Sequence, residues 1–290
     1  MDAAAPHPIV TFADGARWPA LGLGTWRYGE NPAQRAAEVR ALCLAFETGY
    51  RLIDTAEMYG EGGAESVLGE ALRVALRDGV VQRNEVFIVS KVYPHNAGRT
   101  AMRKACEASL QRLGVDRIDL YLLHRRGTVP LAETVAGFED LLRRGHIARW
   151  GVSNFDTADL SELAAVAGGT ACAANQVYLS LRERGPEFEL LPWQRERSMP
   201  LMAYSPIDQG ALVRHEVLAR VAKRHDATAA QVALAALIAL PDVIAIPKTA
   251  DAARLRENWA AGAVRLSTQD RAELDRAFPP PRGKKALAML

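Results

Sequence analysis

The chain has 290 residues, 49% of them hydrophobic and 24% charged, the composition of an ordinary globular protein with enough apolar material for a sizeable core. Its 36 Lys and Arg against 34 Asp and Glu give no reason to expect nucleic acid or an anionic membrane as partner. Cys43, Cys106 and Cys172 lie far apart, with neither CxxC nor Cys/His zinc spacing, so they read as structural thiols and no metal is expected. The longest apolar run, Val232 to Leu240, is nine residues, too few to cross a bilayer. Met1 to Val10 carries no signal-like core. With no linker in view, these features lead us to expect one domain over 1–290, cytoplasmic and monomeric.

In chain order, IVTF, ADGAR and WPALGLGT read as a small hairpin turning at Asp14 and Gly15. It leads into a strand ending at Thr25 and Trp26. Seven more apolar segments follow: LIDTA from Leu52, VFIVSKV from Val86, IDLYLLH from Ile118, IARWGVSN from Ile147, ACAANQVY from Ala171, PLMAYSP from Pro200 and VIAIPKT from Val243. Amphipathic stretches lie between them. In AESVLGEALRVAL, Val67, Leu68, Ala71, Leu72, Ala75 and Leu76 recur at three and four residues, and Gly49, Gly79 and Gly114 end helical patterns. Eight strands, apolar enough for burial on both faces and spaced as βα units, predict a (β/α)8 TIM barrel with an N-terminal β-hairpin. The rival, an open doubly wound sheet, lacks its GxGxxG: GLGT at Gly22 has no third glycine, and the next helix starts only near Pro32.

A barrel of this kind places its chemistry at the C-terminal ends of strands. Those ends carry Asp54, Lys91, His124, Asn154, Gln176, Tyr204 and Lys248. The stretch RLIDTAEMYG, Arg51 to Gly60, adds Tyr59 in the loop after Asp54. A phenol with an unperturbed pKa near ~10 needs a cation beside it to serve as proton donor or base at neutral pH. Lys91, held by Asp54, supplies that cation and is expected to lower the phenol's pKa. His124 would orient a carbonyl, and the hydride must come from outside, because no side chain can give one. Taken singly these residues have plainer readings: Asp54 as a structural acceptor, Lys91 as a Schiff-base lysine, His124 as a satisfied rim histidine.

GLGTW at Gly22, IDTAEMYG at Ile53, SKV at Ser90, LLH at Leu122, GVSNF at Gly151, NQVY at Asn175, AYSP at Ala203, IPKT at Ile246 and RLREN at Arg254 together resemble the aldo-keto reductase family over nearly the whole chain. LLPW at Leu190 and the PPPRGKKAL tail look like its prokaryotic branch of methylglyoxal and diketogluconate reductases. The resemblance implies an NADPH-dependent oxidoreductase that reduces small aldehydes or ketoaldehydes, with Asp54, Tyr59, Lys91 and His124 as the catalytic tetrad. A slow-turnover NADPH sensor is the alternative it leaves. It assigns the cofactor NADPH/NADP+ to Gly24, Thr25, Trp26 and Asp54 at the first two strand ends. Ser153, Asn154 and Gln176 would hold the nicotinamide amide, and Tyr204 would stack on the ring. Ser205, Pro206, Ile207, Gln209 and Gly210 would meet the pyrophosphate. Ile246, Pro247, Lys248, Thr249 and Arg254, with Glu257 and Asn258 beside the adenine, would hold the adenosine 2′-phosphate end. Trp26, Met58, Tyr93 and His124 are expected to line the substrate pocket. Arg125, where many relatives have an aromatic residue, would add a grip for carboxylated or phosphorylated substrates if it faces inward. His95 is a further pocket candidate, and the ALAML tail from Ala286 is expected to cover part of the mouth.

Overall fold

The computed structural model describes residues 7–290. Two short antiparallel strands come first, β1 (Ile9–Thr11) and β2 (Arg17–Pro19), with Ile9 opposite Pro19. Their turn forms because Asp14 accepts a hydrogen bond from the Ala16 N–H at 3.0 Å and Gly15 takes a left-handed φ of +84°. Val10 and Phe12 turn inward and are buried. Phe12 and Trp18 pack on Phe87 at ring separations of 5.5 and 4.8 Å. The hairpin thus closes the end of the barrel where β5 begins, opposite the strand ends that carry polar residues.

Eight parallel strands follow in sequence order: β3 (Leu23–Gly24), β4 (Leu52–Asp54), β5 (Phe87–Val92), β6 (Leu120–Leu123), β7 (Trp150–Ser153), β8 (Asn175–Tyr178), β9 (Leu201–Tyr204) and β10 (Val243–Ala245). Each pairs with its sequence neighbour. The sheet closes on itself through Leu21 beside Ala245 and Gly24 beside Lys248, with the Gly22 N–H donating to Ala245 O at 2.9 Å and the Gly24 N–H to Pro247 O at 3.0 Å. Closure leaves no edge strand to protect. It also demands glycine there: a side chain at Gly22 would meet Leu52 at 2.4 Å, and one at Gly24 the Ile246 carbonyl at 3.1 Å.

Helices pack outside: α1 (Arg35–Thr48), α2 (Gly63–Arg77), α3 (Arg99–Leu113), α4 (Leu131–Arg143), α5 (Thr157–Ala165), α6 (Leu190–Arg195), α7 (Glu216–Arg224), α8 (Ala229–Ile238), α9 (Ala252–Ala260) and α10 (Thr268–Ala277). The expected stripe on α2 is buried from Val67 to Ala75, but Leu76 stands 36% exposed, since it falls on the solvent edge of the last turn. Gly49 and Gly114 are left-handed helix caps at φ +119° and +67°, whereas α2 is capped by Asp78 and Gly79 follows it. The strands are shorter than the apolar segments that announced them. Gly169–Ala171 forms a 3-10 turn ahead of β8, in a stretch of small residues with little side chain to hold a pleated ladder. Among the described residues no helix is long and apolar enough to cross a membrane, and no group of His, Cys, Asp and Glu could hold a metal ion.

Candidate active site

β4 and β5 run side by side with Asp54 opposite Val89, so the polar ends of both strands open on one face of the barrel. There the Lys91 ammonium, fully buried, donates to Asp54 Oδ1 at 2.7 Å, to the Thr55 carbonyl at 2.9 Å and to the Tyr59 hydroxyl at 3.2 Å. Asp54 Oδ2 accepts from Gln176 Nε2 at 2.8 Å across the barrel. One carboxylate therefore fixes the lysine and is itself fixed from the opposite side. His124, which continues from β6, meets Tyr59 edge-on with ring centroids 5.7 Å apart.

Burial dominates the electrostatics. It pushes the Tyr59 phenol up from 10, and the Lys91 charge opposes this without reversing it, so the net shift is upward rather than the lowering expected from sequence. Burial also raises Asp54 above the ordinary carboxylate value despite its bonds to Lys91 and Gln176. The Lys91 ammonium is pulled down by burial, but Asp54 and Tyr59 outweigh that and hold it above 10.5. His124 falls to about 3, first through burial and then through the nearby charges of Lys91 and Arg125. Its imidazole is neutral at pH 7. Among the described residues His124 Nδ1 is buried without a partner while the residue lines the cavity, so Nε2 is the ring nitrogen open to a ligand.

These groups stand at one end of a cavity of about 840 Å³. Trp26 and Met58, 39% and 45% exposed, form its apolar rim. The floor continues past Gly24, Ser153, Asn154 and Gln176 to Tyr204. Asn154 is held by its neighbours: its amide donates to the His124 carbonyl and to Ser153 Oγ, each at 3.2 Å, and it accepts from the Tyr204 hydroxyl at 2.9 Å. The wall is the loop after β9, where Ser205, Pro206, Ile207, Gln209 and Gly210 all face the cavity. Ser205, Asp208, Gln209 and Gly210 have φ between +48° and +93°, a run of left-handed backbone held by Asp208, which accepts from the Tyr178 hydroxyl and, at 2.7 Å, from Arg182. The far end gathers Ile246, Pro247, Lys248 and Thr249 after β10, and Arg254, Glu257 and Asn258 on α9.

Four of the expected or candidate positions fall outside the lining. Thr25 does not line the cavity; it is buried, and its hydroxyl donates to the Asp54 carbonyl at 3.0 Å. Tyr93 is outside as well, because the 3-10 turn Pro94–Asn96 carries the chain away and the Tyr93 hydroxyl donates to Glu61 at 3.0 Å. His95 stacks on Tyr93 at 4.8 Å, is exposed and is not part of the lining. Arg125 is exposed and contributes nothing to the lining, since the chain turns outward after His124. The cavity also has walls that sequence reasoning missed: Arg27, Ala211, Val213, Arg214 and Ala230. Arg27 directly follows a strand end and could have been suspected. Ala230 on α8 and Arg214 give no local signal. The tail after α10 does reach the mouth, with Lys284 paired to Glu189 at 3.0 Å and Leu290 on the cavity wall.

The cleft suits a dinucleotide. Its volume is at the upper end of small-molecule sites, and its far end sets Lys248 and Arg254 beside the first turn of α9, where backbone N–H groups favour an anion. Burial pulls the Lys248 ammonium below 10.5; Glu38 opposes this and Arg27 adds to it.

The chain is 48% identical over 287 residues to methylglyoxal reductase YeaE of Escherichia coli strain K12, covering 97% of this chain and 99% of that protein. It superposes with a TM-score of 0.92 on an aldo/keto reductase of Klebsiella pneumoniae solved with NADP and acetate, at 47% identity over 98% of this chain and 100% of that one. A Klebsiella pneumoniae aldo-keto reductase solved with NADPH matches with a TM-score of 0.93 and 46% identity, over 99% and 100% of the two chains. Residues 20–278 match the family model of the aldo/keto reductases, and the chain belongs to that family.

Proposed function

We propose that this protein is an NADPH-dependent reductase of small aldehydes and ketoaldehydes, methylglyoxal among them, acting as one cytoplasmic, monomeric barrel domain. The observation that carries the reading is the buried Asp54–Lys91–Tyr59 chain of bonds at one end of a cleft whose other end is cationic. When bound, NADPH supplies the hydride. Everything else falls to the protein's own side chains.

Tyr59 donates the proton to the carbonyl oxygen. Its raised pKa keeps the phenol protonated at neutral pH, and the Lys91 ammonium at 3.2 Å stabilises the phenolate as it forms. Asp54 holds Lys91 charged and aimed. His124, neutral and with Nε2 toward the cavity, hydrogen-bonds the same carbonyl oxygen and fixes its approach. Ser153, Asn154 and Gln176 would hold the nicotinamide carboxamide with their amide and hydroxyl groups, and Tyr204 would back the ring. Lys248 and Arg254 would hold the 2′-phosphate, which favours NADPH over NADH. Trp26 and Met58 exclude water from the reacting carbon.

The test is the loss of reduced-nicotinamide absorbance with methylglyoxal and with aliphatic, aromatic and carboxylated aldehydes, NADPH and NADH in parallel. Carbonyl-dependent oxidation that prefers NADPH is the expected result. NADPH binding without oxidation by any carbonyl would overturn the proposal.

A further inference from the structure

Glu57 is a buried carboxyl that the chemistry above leaves unused. Among the described residues it meets no cation; Oε1 accepts from the Tyr93 N–H at 2.6 Å and from the Asn96 side-chain amide at 3.3 Å. Among the described residues Oε2 takes no hydrogen bond, so Oε1 alone carries the contacts that hold this side chain. Glu57 lies between Asp54 and Tyr59 on the loop after β4, and its own N–H donates to the Lys91 carbonyl at 3.3 Å. Its bonds thus end on Lys91, on Tyr93 two residues beyond it, and on Asn96.

We propose that Glu57 is a positioning residue for the reduction, stapling the Tyr59 loop to the end of β5 so that the Tyr59 hydroxyl stays within reach of the Lys91 ammonium. The inference rests on the reductase reading above. Lys91 is fixed independently by Asp54 and Thr55, so the placement of Tyr59 decides whether the 3.2 Å contact exists. Tyr59 hangs on a loop whose Gly60, Glu61 and Gly62 all have positive φ, and its contact to Lys91 is already longer than the 2.7 Å from Lys91 to Asp54. A small outward shift of the loop breaks it. Glu57 itself does not line the cleft, so the staple acts on proton donation and not on cofactor binding.

The experiment compares the full chain with Glu57→Ala, Glu57→Gln, Tyr93→Pro and Tyr93→Ala, reading kcat per NADPH-binding site and NADPH affinity by tryptophan quenching. The glutamine carbonyl can accept both bonds that Oε1 accepts now. Both variants lose the Tyr93 ring, and only proline, which the Tyr93 φ of −59° already suits, also removes the N–H, so the difference between them reports the N–H alone. Glu57→Ala and Tyr93→Pro should each lower kcat by about 100-fold, the scale of a misplaced reacting group, with NADPH affinity held within about twofold. Glu57→Gln and Tyr93→Ala should stay within about threefold of the parent, and the Glu57→Ala, Tyr93→Pro double variant should be no worse than either single one. An active parent with an indifferent Glu57→Ala overturns the inference alone. So does a Glu57→Gln as poor as Glu57→Ala, or a loss of turnover matched by a loss of NADPH sites. If Glu57→Ala does not fold, Tyr93→Pro against Tyr93→Ala decides: a difference supports the staple and none overturns it. A parent chain inactive with every carbonyl overturns the reductase reading and the inference with it.

Discussion

Tyr59 shows how two opposed effects on one side chain settle a mechanism. Burial raises the phenol and Lys91 lowers it, and burial wins, which suits a group that must hold its proton until hydride arrives. Tyr59→Phe should lower kcat by about 10²–10⁴-fold, the usual worth of a positioned proton donor, while NADPH titration stays unchanged. Single-turnover kinetics would check this, and an unaltered chemical step would remove Tyr59 from the mechanism. The neutrality of His124 has its own consequence. Its pKa is about 3 in the fold against 6.5 when free, so below about pH 6.5 the unfolded chain takes up a proton that the fold refuses. This share of stability is present above pH 6.5 and is lost as pH falls toward 3. His124→Gln should therefore flatten the acid side of the denaturant-midpoint profile. The pH profile of kcat/KM should show no histidine limb near 6.5 if the imidazole acts neutral; such a limb, lost in His124→Gln, would contradict that role.

Elements bring these residues together through close backbone contacts. The chain after β3 and the start of α2 touch at Gly29 and Gly63, where a side-chain carbon on Gly63 would come within 2.6 Å of the Gly29 carbonyl. Gly60 is equally confined: a side-chain carbon there would come 2.8 Å from the Tyr28 carbonyl. Because Tyr59 lies inside this contact, Gly63→Ala should cost about 1–3 kcal/mol of stability and also reduce turnover as the loop moves out. Urea unfolding and kcat measured on the same preparation would test it, and a stable, fully active variant would show that the contact has slack. The loop after β9 depends on Asp208 in a comparable way. Asp208→Ala frees Tyr178 and Arg182 and leaves four left-handed residues without their anchor, so NADPH affinity should fall by about tenfold, the scale of a lost charged hydrogen bond. Titration by fluorescence gives the answer, and unchanged affinity would mean that the loop holds its shape alone.

At the scale of the molecule, a closed parallel barrel gives every strand end the same exit, so residues far apart in sequence share one cleft. A ligand spanning that cleft from β4 to α9 ties both halves of the ring together. NADPH at 100 times its Kd should add about 2.7 kcal/mol to stability by mass action. Arg254→Ala should reduce the thermal shift given by NADPH and spare that given by NADH; equal losses would move the 2′-phosphate elsewhere. The sequence by itself determined the barrel, because eight two-sided apolar strands alternating with amphipathic helices leave few other ways to bury both faces. It also determined which strand ends carry Asp54, Lys91 and His124, since a strand's last residues keep their place in any closed ring. Only the tertiary structure decided where the chain goes after each strand. The family resemblance put Tyr93 in the pocket and left Arg125 conditional on facing inward, yet both lie beyond the last ladder bond, where the loop and not the pleat sets direction. Arg214 and Ala230 entered the cleft, and Thr25 left it, through contacts between segments that no local pattern records. The burial that overrides Lys91 at Tyr59 is likewise a sum over the whole ring of strands and helices, and it exists only once the barrel has closed.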